Sequence, residues 1–137
     1  VLIDAPCSAT GTIRRHPDIK FIKNNKVILQ THQVQLRLLR AATKMIKLDG
    51  QIVFSTCSLQ PEEGSKVIDV FLSEHSNWQR KSIPPKIMQN HSEFITSAGD
   101  IRTLPFHLNN YDTREHSQDY KNMGGMDGFF STCLIRK

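Results

Sequence analysis

Apolar positions in the first half of the chain follow two different periods, which predict alternating strands and helices. Residues 1–7, VLIDAPC, begin with an unbroken apolar run, which is typical of a short strand buried between helices. Residues 32–47 instead repeat apolar side chains at the spacing of an amphipathic helix, and Asp49-Gly50 stops that helix. Its predicted buried face comprises Val34, Leu38, Ala41 or Ala42, and Met45, with Gln35, Arg37, Arg40 and Lys44 largely off that face.

The same strand and helix patterns recur immediately afterwards. Residues 51–57, QIVFSTC, predict a second buried strand, and residues 61–63, PEE, open a second helix that places Val67, Val70 and Phe71 on one side. A strand, a helix and a second strand are most simply joined by a right-handed crossover, which makes the two strands parallel. The pattern therefore predicts the α/β class.

The second half of the chain carries weaker signals. Residues 83–100 and 109–124 have the polar, turn-forming composition of loops, and the second of these segments is polar enough to predict mobility. Residues 127–137, DGFFSTCLIRK, predict a turn followed by a strand.

Two of the three cysteines, Cys7 and Cys57, close the two predicted parallel strands. Both thiols are therefore expected at the carboxyl edge of the sheet, where open α/β sheets bind ligands. From the pattern alone, inert packing is the more frequent reason for such cysteines, because free cysteines are among the most buried residues. A disulfide or a metal site is expected less, since no CxxC or HxxxH spacing occurs. Cys133, inside the final strand, is assigned no function.

Composition limits the partners and the setting. The 137 residues suit one domain, and the net charge of +5 is compatible with a nucleic acid partner without requiring one. No apolar run is long enough to cross a bilayer, and three widely spaced cysteines favour the reducing cytoplasm. Because Val1 opens the chain inside a predicted core strand, we expect a fragment of a larger protein.

Four segments together resemble one enzyme family. DAPCSATG at 4–11, IRRHPDIK at 13–20, FSTCSLQPEEG at 54–64 and GGMDGFF at 124–130 are similar to motifs of the Sun-type RNA cytosine-5 methyltransferases, in the branch that modifies bacterial 16S rRNA. The resemblance implies that residues 1–137 are the C-terminal half of a Rossmann-like, S-adenosylmethionine-dependent methyltransferase domain, with a mainly parallel sheet flanked by helices. The cofactor-loop half and the substrate-binding domain of such an enzyme would precede Val1.

The resemblance also implies residue roles. Cys57 would be the nucleophile that adds to carbon six of cytosine, and Cys7 would assist release of the product. DNA cytosine methyltransferases attack with the cysteine of their Pro-Cys motif, so there the roles would be reversed; the TCS sequence at 56–58 favours RNA. Asp4 would contact S-adenosylmethionine, although a carboxylate at a strand end is equally often a turn residue.

For further residues in or near the motifs, both a functional and a structural interpretation are open. Arg14, Arg15, His16 and Lys20 would meet RNA phosphates or form a solvated basic loop. Pro6, Ser8, Thr10 and Gly11 would shape the site or form an ordinary turn. Phe129 and Phe130 suit core packing better than base stacking.

The missing upstream half leaves a second hypothesis for function. The chain is either part of an RNA methyltransferase, inactive when isolated, or a catalytically dead remnant that serves as a basic RNA-binding or interaction module. We expect weak or no binding of S-adenosylmethionine by this chain alone. We also expect self-association through the strand at residues 1–7, because an apolar sheet edge invites pairing.

Overall fold

A five-stranded sheet organises the protein. The computed structural model describes residues 1–89, 91–107 and 125–137. Along the sheet the strand order is β1, β2, β5, β3, and β4 pairs with β5 beyond this path. The strands are β1 (Leu2–Asp4), β2 (Gln51–Thr56), β3 (Trp78–Arg80), β4 (Ile101–Thr103) and β5 (Phe129–Arg136).

Strand direction confirms the predicted crossover and makes the sheet mixed. β1 and β2 are parallel, with Asp4 opposite Ser55, as the pattern predicts. β5 is antiparallel to β2, β3 and β4, so these three strands and β1 all run in one direction. The α/β class is therefore right, but β1–β2 is the single parallel pair of neighbours among the described strands. The reason is that β5 inserts between strands that would otherwise be parallel partners.

Three helices lie in the described residues: α1 (Ile19–Ile22), α2 (Asn25–Thr43) and α3 (Ser65–Glu74). Short 3₁₀ turns lie at Thr10–Thr12, Pro61–Glu63, Pro85–Met88 and Ser92–Phe94. Helix α2 starts earlier than predicted because the side chain of Asn24 accepts hydrogen bonds from the backbone N–H groups of Lys26 and Val27. None of these helices is long and apolar enough to span a membrane.

Of the residues predicted on the buried face of α2, only Ala42 lies in the core. Leu36, Leu39 and Ala42 lie in the core, whereas Leu38 and Met45 are exposed. Two stripes of apolar residues with helical spacing run along this helix. The periodicity does not show which stripe faces the core, and our prediction chose the stripe that faces outward. The physical reason is that each residue turns the helix by about 100°, so neighbouring positions face different sides.

The core lies between the helices and one face of the sheet. Leu39 of α2 and Phe71 of α3 pack with Ile52 and Phe54 of β2 in one cluster, and Phe130 of β5 joins them. The predicted packing role of Phe130 is thus confirmed, while Phe129 is partly exposed.

Of the two segments predicted as loops, residues 83–100 can be compared with the structure almost completely. Residues 83–100 contain two 3₁₀ turns, and Phe94 there is buried. Strand β4, which follows them, has no counterpart among the predicted elements. The prediction of mobility for residues 109–124 lies outside the described residues.

Candidate active site

The two cysteine-bearing turns meet at the carboxyl ends of β1 and β2. The Sγ atoms of Cys7 and Cys57 lie 3.5 Å apart and are partly buried. The backbone N–H of Ala5 donates to the carbonyl of Ser55 at 2.9 Å, which extends the strand pairing up to the turns. Fifty residues of sequence therefore separate two thiols that are in contact, as the crossover predicts.

A glycine contact fixes the turn that follows Cys7. The N–H of Gly11 donates to the carbonyl of Cys57, and the N–H of Gly128 donates to the carbonyl of Gly11. A Cβ atom at Gly11 would lie 2.0 Å from the oxygen of Gly128 and 2.7 Å from the oxygen of Cys57. Only glycine fits there without movement of the backbone, and the DGFF segment thereby closes over both turns.

Gln35 of α2 forms a hydrogen bond with Pro6, the residue that precedes Cys7. Its side chain is fully buried, and its Nε2 atom donates to the carbonyl of Pro6 at 2.8 Å. Its Oε1 atom has no hydrogen-bond partner among the described residues. The residue that we expected off the buried face of α2 therefore contacts the turn of Cys7 instead of solvent.

A buried carboxylate joins the two turns. Glu63 has no exposed surface, and it accepts hydrogen bonds from the backbone N–H of Ser8 at 2.8 Å and from the Ser8 hydroxyl at 2.5 Å. The hydroxyl of Ser58 donates to the same carboxylate at 2.5 Å, and so does that of Thr31 on α2. Ser8 follows Cys7 in the sequence and Ser58 follows Cys57, so Glu63 bonds to the neighbour of each thiol.

Hydroxyl groups complete this polar cluster. Thr10 Oγ1 lies 3.2 Å from Ser58 Oγ and accepts a hydrogen bond from the N–H of Leu59. Ser58 Oγ accepts a further hydrogen bond from the N–H of Gln60 at 3.0 Å. In these turns, side-chain oxygens thus accept hydrogen bonds from backbone N–H groups, which in a helix or a strand would donate to backbone carbonyls.

The thiol of Cys7 holds its proton strongly. The pKa of Cys7 is raised from 9.0 to about 12, mainly by burial and to a smaller extent by the hydrogen bond and charge of Cys57, while a hydrogen bond with the backbone of Ala9 lowers it. The Cys7 thiol is therefore protonated in the resting site.

An ion pair borders the site. Arg15 contacts Asp127 through Nε at 2.7 Å and through Nη2 at 2.5 Å, and Arg14 lies 3.7 Å from the same carboxylate. Asp127 raises the pKa of Arg15, so this guanidinium stays charged beside the turns. The basic motif and the DGFF motif are therefore directly paired.

Comparison with known proteins agrees with these motifs. The family model described as 16S rRNA methyltransferase RsmB/F matches residues 1–135. The chain belongs to this family. The ribosomal RNA small subunit methyltransferase B of Yersinia pseudotuberculosis is 44% identical over 137 residues, which are 100% of this chain and 26% of that protein. The probable ribosomal RNA small subunit methyltransferase B of Coxiella burnetii is 53% identical over 75 residues, which are 55% of this chain and 17% of that protein.

A solved structure supports the same fold. The crystal structure of PH0851 superposes with a TM-score of 0.71 at 27% identity, covering 98% of this chain and 26% of that one. The resemblance to the Sun-type family and the partial Rossmann-like methyltransferase fold are thus confirmed. The RsmB/F-family chain spans only about a quarter or less of the length of these relatives.

The remaining predicted site residues of this RsmB/F-family chain lie around the turns. Asp4 is exposed at the tip of β1, and its carboxylate has no hydrogen-bond or ion-pair partner among the described residues. An exposed, unpaired carboxylate fits the hydrogen-bonding role expected toward S-adenosylmethionine. His16 and Lys20 are exposed, with the Lys20 ammonium 4.7 Å from the centre of the Phe21 ring.

Sequence reasoning missed the residues that hold the thiols in place. It treated Glu63 as a helix-opening charge and Gln35 as a surface residue, and it assigned no role to Thr31. A polar residue at a buried helical position leaves no periodic signal, because the pattern records only apolar residues. In the RsmB/F-family chain, no group of three His, Cys, Asp or Glu side chains within residues 1–89, 91–107 and 125–137 is arranged to hold a metal ion.

Proposed function

We propose that the chain supplies the two catalytic thiols of an RNA cytosine-5 methyltransferase that acts on 16S rRNA. The observation that carries this proposal is the 3.5 Å contact between Cys7 and Cys57 in a chain that belongs to the RsmB/F family. Two thiols at one sheet edge, held by a shared polar cluster, suit a reaction that needs both a nucleophile and a second acid–base group.

Cys57 is the proposed nucleophile. Its thiolate forms a bond to carbon six of cytosine, and the electrons of the ring double bond shift so that carbon five becomes nucleophilic. S-adenosylmethionine, when bound, supplies the methyl group. Cys7, whose pKa is raised to about 12, keeps its own proton in the resting site.

Cys7 is the proposed release residue. The proton on carbon five must leave so that its bonding electrons can restore the ring double bond while the bond between carbon six and Cys57 breaks. Cys7 first gives its own proton to water, and the resulting thiolate is strongly basic because the pKa of Cys7 is about 12. This thiolate then accepts the proton from carbon five and becomes a thiol again. Cys57 then leaves as a thiolate and the cycle closes.

Trapping of a covalent RNA adduct tests these roles. In the protein that carries these residues, Cys7→Ala should accumulate a protein–RNA adduct, because addition proceeds and expulsion of sulfur slows. Cys57→Ala and the Cys7→Ala, Cys57→Ala double variant should give none, and Cys133→Ala serves as the matched thiol control. Denaturing gels with labelled 16S rRNA provide the measurement. An adduct in Cys57→Ala but not in Cys7→Ala would reverse the two roles.

S-adenosylmethionine is the proposed cofactor, and Asp4 is the residue of this chain proposed to bind it. A single exposed carboxylate supplies few preorganised contacts, so the chain alone should bind S-adenosylmethionine weakly or not at all. Titration calorimetry tests this expectation, since binding at micromolar concentration would mean that the cofactor contacts lie elsewhere in the chain.

Charge distribution supports RNA as the partner. Residues 13–48 contain nine Lys and Arg against the single acid Asp18, whereas the rest of the chain holds nine basic and twelve acidic residues. The positive excess thus lies entirely in the segment that follows the Cys7 turn, which suits a polyanion approaching the site. A reducing compartment such as the cytoplasm would keep both thiols in their free form.

The same basic segment favours one alternative function. An RNA-binding or interaction module without catalysis needs the charge of residues 13–48 but not the paired thiols. RNA binding at full affinity, together with no adduct in Cys7→Ala and no transfer of methyl groups by the full enzyme, would select this alternative.

Self-association through β1 remains a proposal. Leu2 is 72% exposed on this three-residue strand, and in the described residues β1 pairs on one side only. An open apolar edge promotes association. Light scattering at high protein concentration tests it, and a clean monomer would contradict it.

A further inference from the structure

We propose that Glu63 is a positioning residue that sets the spacing between Cys7 and Cys57. Its buried carboxylate binds the residue that follows each thiol, and so ties two turns that belong to different strands. The inference deepens the proposed function and rests on it for its catalytic meaning. The spacing itself is a property of the protein without RNA.

The contacts of Glu63 come from three separate segments. Oε1 accepts from the backbone N–H of Ser8 and from the hydroxyl of Thr31, and Oε2 accepts from the hydroxyls of Ser8 and Ser58. The main chain of Glu63 also takes part, since its carbonyl accepts from Thr56 Oγ1 at 3.1 Å. One residue therefore connects the Cys7 turn, the Cys57 turn and helix α2.

The burial of Glu63 makes its hydrogen bonds necessary. Glu63 is fully buried, and among the described residues no Lys, Arg or His pairs with it. Burial of a carboxyl group without hydrogen bonds is costly, so the four donors must stay in place to compensate. Movement of either turn by a bond length would leave donors and acceptor unpaired, which fixes the turns relative to each other.

A substitution of the carboxylate by an amide should loosen this link. Glu63→Gln keeps the shape of the side chain but offers one acceptor oxygen where the carboxylate offers two. Either the Ser8 and Thr31 contacts or the two hydroxyl contacts on Oε2 must then be rearranged. Since each thiol is one residue from a rearranged contact, the distance between the two sulfurs should change.

Bridging of the two thiols by a mild oxidant measures their spacing directly. Diamide takes two electrons and two protons from Cys7 and Cys57, which form a disulfide while the diazene is reduced to a hydrazine. All variants carry Cys133→Ser, so that only the site pair reacts. We expect Glu63→Gln to slow bridging by about tenfold, because small misplacements strongly reduce reactions between held groups. Glu62→Gln, which removes an exposed carboxylate that pairs with Lys66, should leave the rate unchanged.

Two further measurements separate spacing from other effects. Alkylation of Cys57 by iodoacetamide at the same pH, in a Cys7→Ala background, reports thiol reactivity without a partner and should be altered far less by Glu63→Gln than bridging is. Thermal unfolding reports stability. A purely structural role would lower the unfolding temperature of Glu63→Gln while the folded protein bridged at the original rate, and that result would overturn the proposal.

A second variant covers the case in which Glu63→Gln does not fold. Ser58→Ala keeps the carboxylate and removes one of its donors beside Cys57, and it should slow bridging as well. An unchanged bridging rate in folded Ser58→Ala would then reject the proposal. No RNA takes part in these measurements, so absence of an RNA adduct would refute the proposed function alone, while a change in bridging would still establish the role of Glu63.

Discussion

The apolar core and the polar cluster at the turns are buried to the same degree, yet different interactions determine their geometry. Phe54 and Phe71 in the core have no exposed surface, and neither have Ser8, Ser58 and Glu63 in the turns. Core side chains are held by packing, which is non-directional and depends mainly on volume. The turn residues are held by hydrogen bonds, which depend on distance and angle and become costly when left unmade.

Stability and precise positioning of the thiols come from different regions of this protein. Packing in the core supports the whole sheet, so its loss should reduce the free energy of unfolding without moving the thiols in the folded protein. We expect the polar cluster to contribute less to the stability but to specify the positions of Cys7 and Cys57. Variants in the two regions should therefore separate stability from thiol spacing.

The largest expected effect on stability comes from Phe71→Ala. Phe71 is fully buried, stacks on His75 with a centroid distance of 4.4 Å and meets the edge of Trp78 at 6.0 Å. Removal of its ring should reduce the free energy of unfolding by about 3–5 kcal/mol, measured by urea denaturation. The Cys7–Cys57 bridging rate of the folded fraction should stay unchanged, and a large change in that rate would break the separation between the two regions.

Gly11→Ala should affect stability less and thiol spacing more. A Cβ atom at Gly11 would clash with the backbone oxygens of Gly128 and Cys57, which cannot rotate away. We expect a loss of about 1–3 kcal/mol in the free energy of unfolding, with slower bridging of the thiols. Gly50→Ala is the control outside the site, because a Cβ atom there would lie 2.5 Å from Cγ2 of Ile46 and 2.9 Å from the backbone oxygen of Lys47, so it should also reduce stability but contacts neither cysteine turn. Equal bridging rates in the two variants would contradict the close-approach argument.

Alkaline pH should weaken the fold through Cys7. Because the pKa of Cys7 is raised to about 12 in the fold from 9.0, an unfolded chain loses this proton first as the pH rises. Between these two values the folded state binds more protons, so stability falls with increasing pH, while below pH 9.0 the contribution is fully present. As the pH rises above 9.0, the urea midpoint of Cys7→Ser should therefore fall less steeply than that of the original protein. A steeper loss in that variant would contradict the buried-thiol explanation.

The smallest expected effect concerns the ion pair at the border of the site. Arg15 is 56% exposed and Asp127 is 26% exposed, so solvent screens their attraction. Asp127→Asn should change the urea midpoint only slightly, and added salt should reduce the difference from the original protein. An effect as large as that of Phe71→Ala would mean that this pair belongs to the buried cluster.

The sequence predicted those parts of the fold that rest on apolar pattern and chain topology. The unbroken apolar runs that form β1 and β2, the crossover between them and the meeting of Cys7 with Cys57 all follow from periodicity and handedness. The buried face of α2 was predicted correctly only at Ala42, because Leu36 and Leu38 both lie on apolar stripes and only contact with the sheet distinguishes them.

The polar part of the site could not be predicted in the same way. Glu62 and Glu63 are adjacent and chemically identical, yet one pairs with Lys66 at the surface and the other is fully buried between the turns. Their difference arises from the 3₁₀ turn at Pro61–Glu63, which directs neighbouring side chains apart. Such a distinction depends on three-dimensional placement, for which the residue type carries no information.

The position of β5 has a consequence for synthesis of the protein. This strand is translated after the other four, yet it lies between β2 and β3 and also pairs with β4. Until the ribosome releases residues 128–136, β3 and β4 lack the partner that they have in the sheet, and Gly128 cannot close over Gly11. The nascent chain must therefore wait for long-range pairing, which is slow, and the thiol pair gains its full enclosure only at that last step.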